Sequence, residues 1–395
     1  MTRFRVLIVS YAHWEGLSRL PALLHKAGCE VCVLGVQNNF PSLSHYVRRA
    51  YISPDDVHAV IADLKVHLES QPLRYDWIII GDDPLLYALA QRRNEPWAQQ
   101  CFPCRNEAAA VVMSKGAFLQ ACDAAGIPVP AYRLCQSAAD LELAAAALGF
   151  PLVIKEMQGY AGLAVRVVTD AAQLREVPIA SAPVVAQRFV QGRLGSAVVL
   201  FRYGKPLAWF SYYRERTWGA LGPSSAIHFQ TFPEMEDMLR RLGGISGFHG
   251  LCGIDFIQES VTGKLVLLEQ NFRPTLTVQL GSRVGVDLAR AIPGLLDIEA
   301  LGHLPRLQQN ASVHSVVPLF PQDVFRAIDE KDNVALLKWL CLPWRWREFR
   351  LGEPRIFLRN LRHVLKRMRD RETTLSQNDA DSQDNRGNQE KTVNP

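Results

Sequence analysis

The sequence has no apolar run approaching the ~20 residues of a membrane-spanning helix. Its start, MTRFRVLIVSYAHWEG, has a basic flank, but its apolar stretch runs only from Val6 to Val9. That is too short for a secretory leader and suits a first buried strand, so a cytoplasmic location is expected. Cysteine is too sparse, at eight in 395 residues, for a disulfide framework. CEVC and CFPC have a zinc-like spacing, but Cys29 and Cys32 fall in an expected strand, where residues three apart face opposite sides. Buried thiols are therefore expected. There is no G-x-G-x-x-G after the first strand, which argues against a dinucleotide site. No cue for a Ser-His-Asp or Cys-His arrangement stands out. From Glu372 to Pro395 large apolar residues are almost absent, and this tail is expected to be disordered.

Acidic excess is also missing: the net charge is +5, unevenly spread. Between Lys331 and Arg371 twelve Lys and Arg face four acids, a local +8 that leaves −3 for the rest of the chain. The basic character belongs to the C-terminal region, and a basic excess confined to one short segment argues against nucleic acid as a partner.

What is present is an ordered alternation. From residue 4 to about 105, RVLIVSY, CEVCVLG and DWIIIGDD read as strands. SRLPALLHKAG reads as a helix with Ser18 as N-cap and Gly28 as C-cap, and PDDVHAVIADLKVHLES as a second helix. This βαβα pattern implies a parallel sheet covered by helices. Ligands of such sheets sit at the carboxyl ends of strands, which makes Tyr11, His13, Asp82 and Asp83 candidate pocket residues. Capping of the next helix is an equal reading for the two aspartates. After Pro103 come two helices, opened by Ser114 and by the box-like Ser137 and Asp140. Several strands with tight turns follow, then a helix with Met235, Met238, Leu239 and Leu242 on one face. From about residue 304 the pattern is helical and basic.

The stretch GIDFIQESVTGKLVLLEQNFRP, Gly253 to Pro274, reads as a hairpin whose turn lies near Thr262. Side chains alternate along a strand, so Glu269 and Asn271 share a face, and Asp255 lies across from Glu269 or its neighbour. Two carboxylates side by side repel unless a cation neutralises them, and oxygen ligands of this kind suit Mg²⁺. The alternative is a solvent-facing pair of edge strands.

This hairpin ends in E-x-N-x-R-P about a hundred residues beyond the strand PLVIKE, an arrangement that resembles the ATP-grasp superfamily. The carbamoyl-phosphate-synthase-like carboxylate–amine ligases look closest. The resemblance implies an ATP-grasp fold, mixed α/β and α+β, preceded by a parallel-sheet βαβ domain and followed by a helical basic C-terminal segment. The domains implied are 1–105, a small subdomain 106–185, a large subdomain 186–303 with the metal hairpin, the basic helical segment 304–371, and the tail 372–395. It also implies ATP with Mg²⁺ or Mn²⁺. Asp255, Glu269 and Asn271 would hold the metal. Arg273 would hold the transferred phosphoryl group, with an ion pair to Glu269 as its alternative. Lys155 and Lys115 would meet the phosphates, and Gly159 and Gly162 in QGYAGLAV would belong to the loop covering them. Gln187, Phe189 and Val190 in AQRFVQG would line the adenine slot. Gln187 stands where Glu is frequent, and Leu194 stands where many relatives place an acid for the ribose hydroxyls. Arg214, Arg216 and the GPSS after Trp218 lie where relatives bind the acceptor carboxylate.

The implied activity is an ATP-dependent ligase that activates a carboxylate as an acyl phosphate for attack by an amine or similar nucleophile. Alternatives are a bicarbonate-activating, carboxylase-like enzyme and a catalytically weak nucleotide-binding regulator. In the C-terminal region, Trp339, Trp344 and Trp346 interleave with Arg345, Arg347 and Arg350. Such a mixture suits a peripheral membrane contact, a dimer face or a packed helical cap.

Overall fold

A computed structural model describes residues 4–70, 74–157, 165–179, 183–219, 222–305, 307–342, 345 and 353–370. Gly159, Gly162, Trp344, Trp346, Arg347, Arg350 and the tail lie outside the described residues. The chain divides into two units: residues 1–215 with 228–316, and residues 216–227 with 317–395.

The larger unit opens with a parallel sheet in the order β3-β2-β1-β4, made of β1 (Phe4–Ser10), β2 (Cys29–Val36), β3 (Val47–Ser53) and β4 (Trp77–Ile80). The expected strands and helices are there, together with a strand that the pattern did not announce. Strand β3 is the sheet edge, and Arg48, Arg49 and Ala50 on it are exposed. An edge strand carrying charge reads as a loop in sequence because only one of its sides is covered. Ser18 is not the N-cap expected of it. The helix begins at Leu20 after Arg19, with no side-chain cap, and Pro21 stands in its first turn. Ser18 is buried as the C-cap of the preceding 3-10 turn, Glu15–Leu17.

The next layer is a small antiparallel sheet in the order β5-β8-β6-β7: β5 (Tyr132–Cys135), β6 (Leu152–Glu156), β7 (Val165–Val168) and β8 (Val184–Arg188). Leu152, Ile154, Val184 and Ala186 point to one face, where they form a core with Leu141 and Ala144 of the helix Ala138–Leu148. That helix starts with the capping box read in the sequence, Ser137 with Asp140, which satisfies two backbone donors that a helix start leaves open. Because strand residues alternate, Val153, Lys155, Val185 and Gln187 occupy the opposite face.

The third layer is built on β9 (Gly192–Arg202), β10 (Lys205–Thr217), β12 (Gly250–Glu259) and β13 (Leu265–Asn271), which run β13-β12-β9-β10; β11 (Ser224–Phe229) comes between β10 and β12 in the chain. The helix Met235–Ser246 packs Met235, Met238, Leu239 and Leu242 into the core, as its spacing requires. One continuous apolar cluster joins the parallel sheet (Leu7, Leu34, Ile80) to this layer (Phe201, Ile254, Phe256). In the smaller unit the helices Gln322–Asp329, Asn333–Cys341 and 354–370 surround Phe320, Val324, Ile328, Trp339 and Val364.

Candidate active site

The hairpin β12–β13 sets Asp255 directly across from Glu269, and Gly253 across from Asn271. Past this point the register slips. Phe256 pairs with Leu267, so Leu268 is an extra residue on β13. A bulge of this kind bends the strand and re-aims the side chains next to it, here beside the carboxylate pair. Gly253 is required by close approach: a Cβ there would lie 2.5 Å from Thr275 Cγ2, in the turn that carries Arg273.

The pairing continues across the sheet. Asp255 faces Ser196 of β9, and Ser196 faces Tyr212 of β10. Tyr212, Ser196, Asp255 and Glu269 therefore form one transverse row. Ser196 Oγ donates to Asp255 Oδ1 at 2.5 Å, and Asn271 Nδ2 donates to Asp255 Oδ2 at 3.4 Å. Tyr212 and Thr277 share a hydrogen bond of 2.9 Å between their hydroxyl oxygens. Burial pushes the Tyr212 phenol up to about 12. Burial also raises the Asp255 carboxyl above its ordinary range. Arg214 opposes the rise and Glu269 adds to it. Two hard carboxylates and an amide oxygen donor, one carboxylate already strained by its neighbour, fit a divalent cation.

The two lysines arrive from adjacent chain ends. Lys155 lies near the end of β6 on the face away from the small core. Lys115 opens the helix Lys115–Ala124, and its backbone N–H donates to Met157 O at 2.9 Å, just past β6. Ser114 caps this helix, accepting from the Ala117 N–H at 3.4 Å, as the sequence suggested. Burial holds the Lys155 ammonium below the usual lysine range. Glu269 opposes that shift, Lys115 reinforces it and Asp255 opposes it. Burial lowers Lys115 too, against the pull of Glu269, Asp83 and Glu156. Both cations are thus within electrostatic reach of the carboxylate row.

Gln187 is 1% exposed, and its Nε2 has no hydrogen-bond partner among the described residues. A buried donor left unpaired costs roughly 1–3 kcal/mol, so a site that fills it with an acceptor is favoured. Phe189 is exposed and Val190 buried beside it, on the segment that links β8 to β9. Leu194 pairs with Ile257 two residues along from the Ser196–Asp255 pair, and so lies on the same sheet face as the carboxylate.

Arg273 is buried, but its partner is not Glu269. Its Nε donates to Asp83 Oδ2 at 2.8 Å, and its guanidinium lies 4.3 Å from the centre of the Trp14 ring. Both partners stand beyond the carboxyl ends of parallel strands, Trp14 after β1 and Asp83 after β4. Of the four residues expected at those ends, Asp83 reaches the site. Asp82 is the helix cap, accepting from the backbone N–H groups of Tyr11, Ala12 and Leu85. His13 lies 3.8 Å from Asp55. Arg214 lies within electrostatic reach of Asp255, whereas Arg216 and Gly222–Ser225 belong to the smaller unit, where Arg216 meets Asp323 at 3.5 Å. Sequence reasoning missed Ser196, Tyr212 and Trp14. The signal for Ser196 was a polar residue in the apolar run of β9, two positions past Leu194.

Residues 112–277 match the family model described as the ATP-grasp domain. Over those residues, less than half of the chain, it resembles that family. The matched residues include the whole small sheet, the strands β9, β10, β12 and β13, and every residue of the transverse row. ATP and Mg²⁺ are the cofactors typical of this family. The chain is 29% identical to the carbamoyl phosphate synthase large chain of Thermus thermophilus over 191 residues, which is 44% of this chain and 18% of that protein. It thus spans less than a fifth of the length of that relative. Among solved structures it resembles an ADP complex of N5-carboxyaminoimidazole ribonucleotide synthetase, with a TM-score of 0.63, 18% identity, and coverage of 84% of this chain and 87% of that one. It also resembles the biotin carboxylase domain of the 2-oxoglutarate carboxylase of Hydrogenobacter thermophilus, solved with MgADP and bicarbonate. There the TM-score is 0.60, with 14% identity over 79% of this chain and 74% of that one. These likenesses establish the ATP-grasp fold with its parallel-sheet N-terminal domain.

The Leu194 position gives a direct expectation. Leu194→Glu places a carboxylate on the face that carries Asp255 and Ser196. If the ribose hydroxyls lie there, ATP binding tightens by about 1–2 kcal/mol, the worth of a charge-assisted hydrogen bond. Calorimetry showing unchanged or weaker binding would place the ribose elsewhere.

Lys155 gives another. Since burial outweighs its carboxylate neighbours, Lys155→Met removes an unfavourable charge. The nucleotide-free variant should unfold at a higher temperature, while ATP binding is lost. A lower melting temperature in thermal denaturation would contradict this balance.

Proposed function

We propose that this chain is an ATP-dependent ligase that activates a carboxylate as its acyl phosphate for attack by an amine or similar nucleophile. The observation that carries the reading is the transverse row Tyr212–Ser196–Asp255–Glu269, with Asn271 beside it and the buried cations Lys115 and Lys155 in electrostatic reach. Asp255, Glu269 and Asn271 would hold Mg²⁺, which when bound neutralises phosphate charge and polarises phosphate oxygens.

The obstacle in such a reaction is the approach of one anion to another. Lys155 and Lys115 offset the repulsion between the incoming carboxylate and the phosphates. Arg273 supplies a planar donor set for charge that develops on the transferred group. Asp83 and Trp14 fix that guanidinium in direction. A carboxylate oxygen attacks the γ-phosphorus and the bond to ADP breaks. The nucleophile then attacks the acyl carbon, loses a proton, and phosphate leaves. Gln187, Phe189 and Val190 would meet the adenine.

The deciding experiment is a screen of amino acids and small carboxylic acids that reads phosphate and ADP release with and without Mg²⁺. Release that requires both an acid and an amine supports the reading. Release driven by bicarbonate alone would replace it with the carboxylase-like activity. Nucleotide binding without release under any pairing would make the chain a regulator, a reading to which the apolar Leu194 lends some support.

A further inference from the structure

The smaller unit follows the packed-cap reading at two described members of the Trp/Arg stretch and presents another surface beside them. Trp339 and Arg345, two members of the interleaved Trp/Arg stretch, do not face outward. Both are buried around Asp323, whose carboxylate accepts from Trp339 Nε1 at 2.9 Å and from Arg326 Nε at 3.1 Å, with an Arg345 nitrogen at 3.4 Å. Their aromatic and cationic character is spent internally. The outward faces of the helices beside them are another matter.

The helix 354–370 has six Arg or Lys and a single acid, Asp370. Its residues sort into three sectors. At about 100° per residue, Ile356, Asn360 and Val364 fall on one side, and all three are buried. Leu358, Leu365 and Met368, with the half-buried Leu361, fall within an arc of about 80° on another side. Leu358, Leu365 and Met368 are 43% to 50% exposed. Arg355, Arg362, Lys366 and Arg369 occupy the adjoining ~60°, and all four are exposed. The core accounts for the first sector only. In the same unit, the helix Asn333–Cys341 turns Val334, Leu337 and Leu340 outward at 60% to 79% exposure, with Lys338 next to them. No helix among the described residues is long and apolar enough to cross a membrane.

An apolar strip flanked along its length by basic residues matches the interface of a bilayer that carries anionic lipid. The apolar side chains enter the acyl boundary while the long cationic ones reach the head groups. We propose that the smaller unit docks on an anionic lipid surface through the outward face of helix 354–370, without spanning it. An acidic protein partner fits less well, because the apolar residues lie on the flank of one helix and the charge excess runs beside them rather than around them.

The test uses the full chain with vesicles of neutral phosphatidylcholine, and with the same vesicles carrying about 30% anionic phosphatidylglycerol, at low and high ionic strength. Co-sedimentation is expected with the anionic vesicles at low salt, weakening as salt rises and absent with neutral ones. The triple replacement Arg362→Ser, Lys366→Ser and Arg369→Ser should reduce partitioning on the order of 100-fold, given the contribution of each basic residue near such a surface. Leu358→Ser with Leu365→Ser should reduce it at least about tenfold, through the apolar strip alone. Arg362→Lys with Arg369→Lys keeps the charge and should keep binding, which separates loss of contact from loss of fold. No binding of the parent to anionic vesicles at low salt would overturn the proposal, as would equal binding to neutral ones. If the serine variants instead shift the vesicle-free protein to a smaller sedimenting species, the face is an interface between copies and the lipid assignment fails.

Discussion

Glu269→Gln should lower ATP-dependent turnover by about 10²–10³-fold or more and, in the absence of metal, should make the protein harder to unfold. Both effects come from one contact. Glu269 stands directly across from Asp255, and it helps, after burial, to raise the Asp255 carboxyl above its ordinary range. A carboxyl whose folded-state pKa is raised holds its proton longer when folded than when unfolded. Stability therefore falls as pH rises from the ordinary carboxylate range through the raised value. Removing the Glu269 charge removes part of that penalty. The melting-temperature gain of the variant over the parent should thus be small near pH 4 and larger, a few degrees, near pH 7. Addition of Mg²⁺ should stabilise the parent and leave the variant nearly unmoved. Thermal denaturation at two pH values, with and without the metal, reads all three quantities. An unchanged turnover rate would remove Glu269 from the site, and a gain independent of pH would remove the Asp255 coupling from the explanation.

That contact was visible in the sequence because it depends on short-range rules. A turn near Thr262 and two-residue alternation are enough to bring Asp255 opposite Glu269, and the register has them paired. The bulge at Leu268 is not legible in the same way. It is one extra residue whose neighbours are as apolar as a regular strand would have. Capping was legible at Ser114 and Ser137, where the signal and the bond lie three residues apart. It failed at Ser18, where a 3-10 turn takes up the residues before the helix. The greatest losses were of pairings between distant residues. Asp83 and Arg273 are separated by 190 positions. A sequence reading could assign Arg273 a carboxylate, and it offered Glu269, the nearest one. Likewise Trp339 and Arg345 look like surface anchors until the fold buries Asp323 between them. Interleaved aromatic and basic residues announce a cation-rich structure, but only packing decides which face they take.

The Asp83–Arg273 pair carries the second large expectation. Arg273→Met should reduce turnover by about 10²–10³-fold while ATP affinity changes little, if the guanidinium acts on charge that develops in the reaction rather than on the resting nucleotide. Asp83 touches the guanidinium through Nε, and Trp14 covers its face, so these residues position it rather than meet the phosphates. Asp83→Asn keeps a hydrogen-bond acceptor but removes the charge. A loss of about tenfold in kcat is expected, with KM nearly unchanged. The double variant Asp83→Asn with Arg273→Met should then be no slower than Arg273→Met alone, because a positioning residue has nothing left to position. Steady-state kinetics on the four proteins of this cycle gives the coupling directly. If the two losses instead multiply, Asp83 has a task of its own, and contact with the incoming nucleophile would be the first to examine. If Asp83→Asn raises KM for the acceptor with kcat intact, the carboxylate serves binding. The parallel-sheet domain would then contribute a substrate contact, and the orientation of Arg273 would have to come from Trp14.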